Sequence, residues 1–130
     1  MTPKRILITG GAGFIGSHIA EHYHQRCEVR ILDDLRTGNR RNLDGLDVEF
    51  REGSILDREA VRDAVQGVDA VFHLAALVSV PESMERPQQC VDINVTGLLT
   101  VLEEAARAEV SKLCFSSSAA VYGDDPEIPK

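Results

Sequence analysis

The stretch Arg5-Ile6-Leu7-Ile8-Thr9-Gly10-Gly11-Ala12-Gly13-Phe14-Ile15-Gly16 decides the fold. Its first five residues form a short apolar run rich in β-branched side chains, which reads as a buried strand. Beyond the glycines, Ile15, Ile19, Ala20 and Tyr23 recur at helical spacing through about Arg26. A strand that breaks into Gly10-x-x-Gly13-x-x-Gly16 and continues as a helix is the pattern of a phosphate-binding turn. The first glycine allows a tight exit from the strand. The second lets the backbone approach a pyrophosphate, and the third lets helix and strand pack closely. The helix N-terminus then offers free N–H groups and the positive end of its dipole.

Outward from this turn, strands and helices alternate. Val29-Arg30-Ile31-Leu32 reads as a second strand ending at Asp33-Asp34, and Arg36 to Asp44 as a loop or short irregular helix. Val48-Glu49-Phe50 is a third strand. Asp57 is placed to cap a helix whose apolar face is Ala60, Val61, Ala64 and Val65, with Gly67 at its C′ position. Asp69 to Leu74 is a fourth strand. Leu98, Leu99, Leu102, Ala105 and Ala106 mark one face of a long helix expected from about Met84 to Ala108, and Lys112 to Ser116 is a fifth strand. Such alternation predicts an α/β Rossmann-type doubly wound parallel sheet of order 3-2-1-4-5, with ligands at the carboxyl ends of the strands. Residues 1–125 are expected to form one dinucleotide-binding domain and 126–130 a terminal loop. A doubly wound domain that stops just after a strand looks truncated.

Composition narrows the function classes. The chain has 130 residues, 43% hydrophobic and 27% charged, with a net charge of -7. That balance suits a globular domain and argues against a nucleic-acid partner, which demands a basic face. Cys27, Cys90 and Cys114 form no CxxC pair and no even framework, as expected in a reducing compartment. No apolar run approaches the length of a membrane span, so no membrane partner and a cytoplasmic location are expected.

Two further groups carry chemistry, and a third only imitates it. Asp33 ends the second strand, where an acidic side chain hydrogen-bonds the adenosine ribose; it would repel a 2′-phosphate and so favours NAD over NADP, with Arg36 nearby moderating the repulsion. Ser116-Ser117-Ser118 close the fifth strand on the ligand edge. His18-Ile19-Ala20-Glu21-His22 matches a metal-binding pattern, but it lies on the helix that opens the phosphate turn and has no further ligand, so no metal site is expected.

Thr9 to His18, Asp33-Asp34-Leu35, His73-Leu74-Ala75-Ala76, Asn94-Val95-x-Gly97 and Phe115 to Gly123 occur in order. Together they resemble the extended short-chain dehydrogenases/reductases, specifically the NAD-dependent nucleotide-sugar epimerase/dehydratase family, over essentially the whole chain. The resemblance implies that Gly10, Gly13, Phe14, Ile15 and Gly16 hold the pyrophosphate of NAD and Asp33 the ribose, with Asp34, Leu35, Thr37 and Gly38 at the same end. Leu74, Ala75 and Ala76 would run along the cofactor, with Val78, Asn94 and Ser116 beside it and Ser79, Val80 and Ser118 toward the sugar. Ser118 matches the family's catalytic serine. The implied activity is C4 epimerisation of a UDP-hexose or its N-acetylated form through a transient 4-keto sugar, in a homodimeric parent. Three departures stand out. Ser54-Ile55 replaces the Asp-Ile that often covers the adenine. Val78 stands where galactose-type epimerases carry a lysine, and Ala75 to Ser83 looks more like the relatives that take N-acetylated sugars. The family's Tyr-x-x-x-Lys does not occur in these residues: Tyr122 is followed four positions on by Pro126. The 130 residues by themselves are therefore expected to be catalytically inactive. A 4,6-dehydratase or decarboxylase of the same family, or a non-catalytic NAD-binding regulator, are the alternatives.

Overall fold

A computed structural model describes residues 3–124. The expected loop at 126–130 lies outside them. Five parallel strands run β1 (Arg5–Thr9), β2 (Glu28–Asp33), β3 (Glu49–Glu52), β4 (Ala70–His73) and β5 (Lys112–Phe115), in the spatial order β3-β2-β1-β4-β5. The predicted topology holds. β1 is central and dry because both of its faces are covered: Ile6, Leu7 and Ile8 are fully buried.

Strand alternation divides that core. Ile6 and Ile8 join Ala20, Val29 and Ile31 beneath α1 (Phe14–Tyr23). Leu7 points the other way and joins Leu32, Val61, Val65, Val71 and Val101 beneath α2 (Arg58–Val65) and the helix Leu98–Arg107. Each of these Ile, Leu and Val side chains contributes about 1.5–3 kcal/mol by leaving water. Asp57 caps α2 as predicted, accepting the N–H groups of Glu59 and Ala60, and Gly67 follows the helix at φ +67. Glu104, 2% exposed, accepts hydrogen bonds from Arg58 and Arg62 and so ties the two helices on that face together. α1 ends at Tyr23, short of the expected Arg26.

The single long helix expected from Met84 to Ala108 is not what forms. The segment is α3 (Val80–Glu85), α4 (Pro87–Val91), a π-helical turn (Asp92–Gly97) and α5 (Leu98–Arg107). Proline explains the first break: Pro87 pushes Arg86 out of the helical region, to φ -132 and ψ 61. Pro87 then opens α4 at the position where a proline is tolerated. The π turn sits against the second strand-helix layer, where a Cβ on Gly97 would come within 2.5 Å of Ile55 Cδ1. No helix among the described residues is long and apolar enough to cross a membrane.

Candidate dinucleotide site

A cleft of about 420 Å³ opens along the carboxyl ends of the strands. A larger hollow, about 700 Å³, lies at the opposite edge of the sheet around Arg5, Glu28 and Arg30. Arg5 there is paired with Glu28, and Arg30 with Glu49. The motifs converge only on the first.

The glycine turn forms one wall. Gly10 adopts φ +70, and a Cβ there would lie 2.7 Å from the Ala75 nitrogen. A Cβ on Gly16 would run into Gly10 O and come within 2.6 Å of Gly11 Cα. Both glycines are demanded by packing within the chain. Gly13 differs. Its φ is -77, open to any residue, and an added Cβ would meet only Gly10 O at 3.3 Å. The space over Gly13 belongs to the cleft. Gly13 is also the N-cap of α1 and supplies no side-chain acceptor. The first N–H groups of this helix therefore have no side-chain partner and border the cleft with the positive end of the dipole. Such an arrangement fits a pyrophosphate.

The floor is set by Thr9 and His73. Thr9 Oγ1 accepts the N–H groups of Leu74 at 3.3 Å and Ala75 at 3.4 Å. Its own hydroxyl proton is then free to donate to His73 Nδ1, 2.8 Å away. His73 is 2% exposed, and burial pushes its pKa down to about 4, so it is neutral at physiological pH with its proton on Nε2. This pair holds the backbone that carries Leu74, Ala75 and Ala76 along the cleft.

The β2 end is the most constrained. Asp33 is 7% exposed; Oδ2 accepts the Ala12 N–H at 2.9 Å and Oδ1 the Leu35 N–H at 2.8 Å. The carboxylate thus clasps the glycine turn to the loop after β2. Asn42 reinforces the clasp by donating to Ala12 O at 2.8 Å. Each carboxylate oxygen keeps a second lone pair, so Asp33 can still accept from a ribose hydroxyl.

Most of the residues expected at the cofactor line this cleft: Gly10, Gly13, Phe14, Ile15 and Gly16; Asp33, Asp34, Thr37 and Gly38; Ser54 and Ile55; and Leu74, Ala75, Ala76, Val78 and Ser116. Five lie off its wall. Leu35, at φ +56, packs into the core beneath α1 and contributes its N–H to Asp33. Asn94 acts one step removed: its amide accepts from Leu77 N–H at 2.8 Å and donates to Leu77 O at 2.9 Å, fixing the segment between Ala76 and Val78. Ser79 caps α3 by accepting the Glu82 N–H, and exposed Val80 starts that helix. Ser118 caps the 3-10 turn Ala119–Tyr122, its Oγ accepting the Ala120 N–H at 3.2 Å. Ser54 Oγ accepts the Leu56 N–H at 3.2 Å.

Arg36 and Ser117, both read from the sequence as lying at this edge, also line the wall, as do Leu32, Gly53 and Ile93, which were missed. Gly53 carried a signal, standing just after the third strand; its N–H donates to Asp33 O. Ile93 carried none, because the π turn that presents it leaves no mark on a 3.6-residue pattern. His18 Nδ1 donates to Phe14 O, and no group of three His, Cys, Asp or Glu side chains among the described residues is placed to hold a metal.

The NAD dependent epimerase/dehydratase family model matches residues 6–130. The chain belongs to that family. Within this NAD-dependent family it is 42% identical over 135 residues to UDP-glucose 4-epimerase of Neisseria meningitidis serogroup C, a match that takes in 97% of this chain and 40% of the relative. The chain thus spans about two fifths of the length of the meningococcal epimerases. Among solved structures, UDP-N-acetylglucosamine 4-epimerase from Methanobrevibacter ruminantium in complex with UDP-N-acetylmuramic acid superposes with a TM-score of 0.90 at 34% identity, over 100% of this chain and 43% of that one. UDP-glucose 4-epimerase of Thermus thermophilus in complex with NAD gives 0.88 at 42% identity, over 97% and 42%.

Proposed function

We propose that the cleft holds NAD and that the chain supplies the cofactor-binding part of a nucleotide-sugar 4-epimerase acting on UDP-hexoses or their N-acetylated forms. The observation that carries the cofactor reading is the uncapped N-terminus of α1 over Gly13, where the only glycine of the turn not required by packing faces the open cleft. The 4-epimerase relatives of known activity and structure support the reaction class.

In this reading the dinucleotide runs from Asp33 over β2, across the glycine turn, to Ser116 beside β5. When bound, NAD supplies a nicotinamide that accepts a hydride from the sugar C4 and returns it to the other face. The residues of this chain bind, orient and polarise. Asp33 fixes the ribose and α1 neutralises the pyrophosphate. Ala75 and Ala76 offer a smooth wall held in place by Thr9 and Asn94. Ser118 Oγ accepts a backbone N–H and keeps its own proton free to hydrogen-bond the sugar oxygen at C4. The direct experiment is incubation of the full-length protein with UDP-galactose and, separately, UDP-N-acetylgalactosamine, with the epimers resolved by chromatography. Interconversion of at least one without net accumulation of NADH is expected. Interconversion of neither would contradict the proposal.

A further inference from the structure

Arg36 is the one cationic side chain on the cleft wall among the described residues, and it does not face the cleft alone. Its Nη1 donates to Glu82 Oε1 at 2.7 Å, a pair in which the side chains are only 28% and 27% exposed. The partners are 46 positions apart. Arg36 lies in the loop after β2, and Glu82 lies in α3, which follows β4. Because β2 and β4 flank β1, the pair joins their two loops near the carboxyl end of β1, where the glycine turn sits. Both ends are held locally: the Arg36 N–H donates to Asp34 Oδ1 at 3.1 Å, and the Glu82 N–H donates to Ser79 Oγ at 3.3 Å.

We infer that Glu82 is a specificity-determining residue for the cofactor: by engaging Arg36 it withholds the cleft's cation from the ribose end and so excludes a 2′-phosphorylated dinucleotide. The inference rests on the placement of the adenosine ribose at Asp33 given above. An arginine in the loop after the ribose-binding carboxylate is the group that accommodates a 2′-phosphate, through paired N–H donors. Here that arginine has one donor edge filled by a carboxylate. A phosphate of nearly two negative charges would enter a site where Asp33, Asp34 and Glu82 set three carboxylates against one guanidinium. A plain ribose makes no such demand. The pair therefore discriminates between the two dinucleotides while leaving the common pyrophosphate contacts untouched.

The test measures dissociation constants for NAD and NADP on the full-length protein freed of bound nucleotide, for wild type, E82Q, R36L and R36L/E82Q. Melting curves on each confirm folding, and the surface position of the pair means that all four should melt within a few degrees of one another. Wild type should prefer NAD. E82Q should narrow the NADP-to-NAD ratio of dissociation constants about tenfold, and R36L/E82Q should lose that gain. A ratio within twofold of wild type in E82Q overturns the inference, as does an equal narrowing in the R36L background, which would show that Glu82 does not act through Arg36. Normal NAD binding with an unchanged ratio removes only this role of Glu82. A folded wild type that binds neither nucleotide removes the dinucleotide reading and this inference with it.

Discussion

At the β2 end of the cleft, Asp33 is 7% exposed and both of its carboxylate oxygens hold backbone N–H groups. At the β5 end, Ser116, Ser117 and Ser118 are exposed, and the strand before them has no fully buried residue. The first end lies beside the dry centre of the sheet and is over-determined: the glycine turn, the loop after β2 and Asn42 meet at Ala12. Among the described residues the second is a rim, positioned by one backbone hydrogen bond from Ser116 to His73 and one short turn capped by Ser118. The difference separates two kinds of functional residue. At the β2 end, the carboxylate proposed to take the ribose is also one that holds the fold together. At the β5 end, a side chain can serve chemistry while carrying little of the fold.

Substitutions can break that division, and they are taken in order of their cost to stability. Gly10→Ala forces a side chain into φ +70 and against the Ala75 backbone. More than about 3 kcal/mol of stability should be lost, read from the denaturant midpoint; a loss under about 1 kcal/mol would mean that the turn relaxes freely. His73 comes next and is tested by pH. Its folded pKa of about 4 lies below the ordinary 6.5, so the unfolded chain binds the proton more readily. The associated stability is whole above pH 6.5 and falls as pH drops toward 4, by about 3 kcal/mol in total. His73→Gln should lower stability at pH 7.5 but flatten its decline between pH 6.5 and 4, as followed by urea unfolding across that range.

Asp33→Asn keeps one good acceptor and replaces the other by an amide. A stability loss of about 1–2 kcal/mol, together with at least tenfold weaker NAD binding by calorimetry, is expected. Loss of binding with no loss of stability would show that the clasp on Ala12 is dispensable. Ser118→Ala removes only a turn cap and should cost under about 1 kcal/mol. In the full-length protein it should nonetheless lower kcat by about 100-fold. An unchanged kcat would leave Ser118 with a capping role alone.

How much of this was legible in the sequence follows the same division. The strand order, the Asp57 cap and the glycine turn were readable because they depend on local periodicity and on residues with special backbone freedom. Asp33 was readable because it stands at a strand end. The Pro87 break was available in principle, since a proline inside a helical pattern marks a boundary, but Leu98, Leu99, Leu102, Ala105 and Ala106 suggested one continuous helix face. Of these Leu99, Leu102 and Ala106 are exposed, and α5 instead buries Thr100, Val101, Glu104 and Ala105. The π turn was not available: it shifts the helix register without any distinctive residue, and it sets Ile93 on the cleft wall and Asn94 against Leu77. Nor were the contacts of Thr9 with His73 and of Arg36 with Glu82, which join residues far apart in sequence. A polar side chain in a strand or loop gives no sign of the partner that the sheet order will bring beside it.

The space over Gly13 is where a bound dinucleotide would come nearest the glycine turn. Gly13→Ala tests this directly, because the backbone there tolerates alanine and an added methyl group meets only one protein atom, Gly10 O at 3.3 Å, which must give by a few tenths of an ångström. NAD titrated into the wild type and into G13A, with a melting curve for each, should show a variant that melts within a few degrees of the wild type but binds NAD at least tenfold more weakly. Equal NAD affinity in the two proteins would contradict the account.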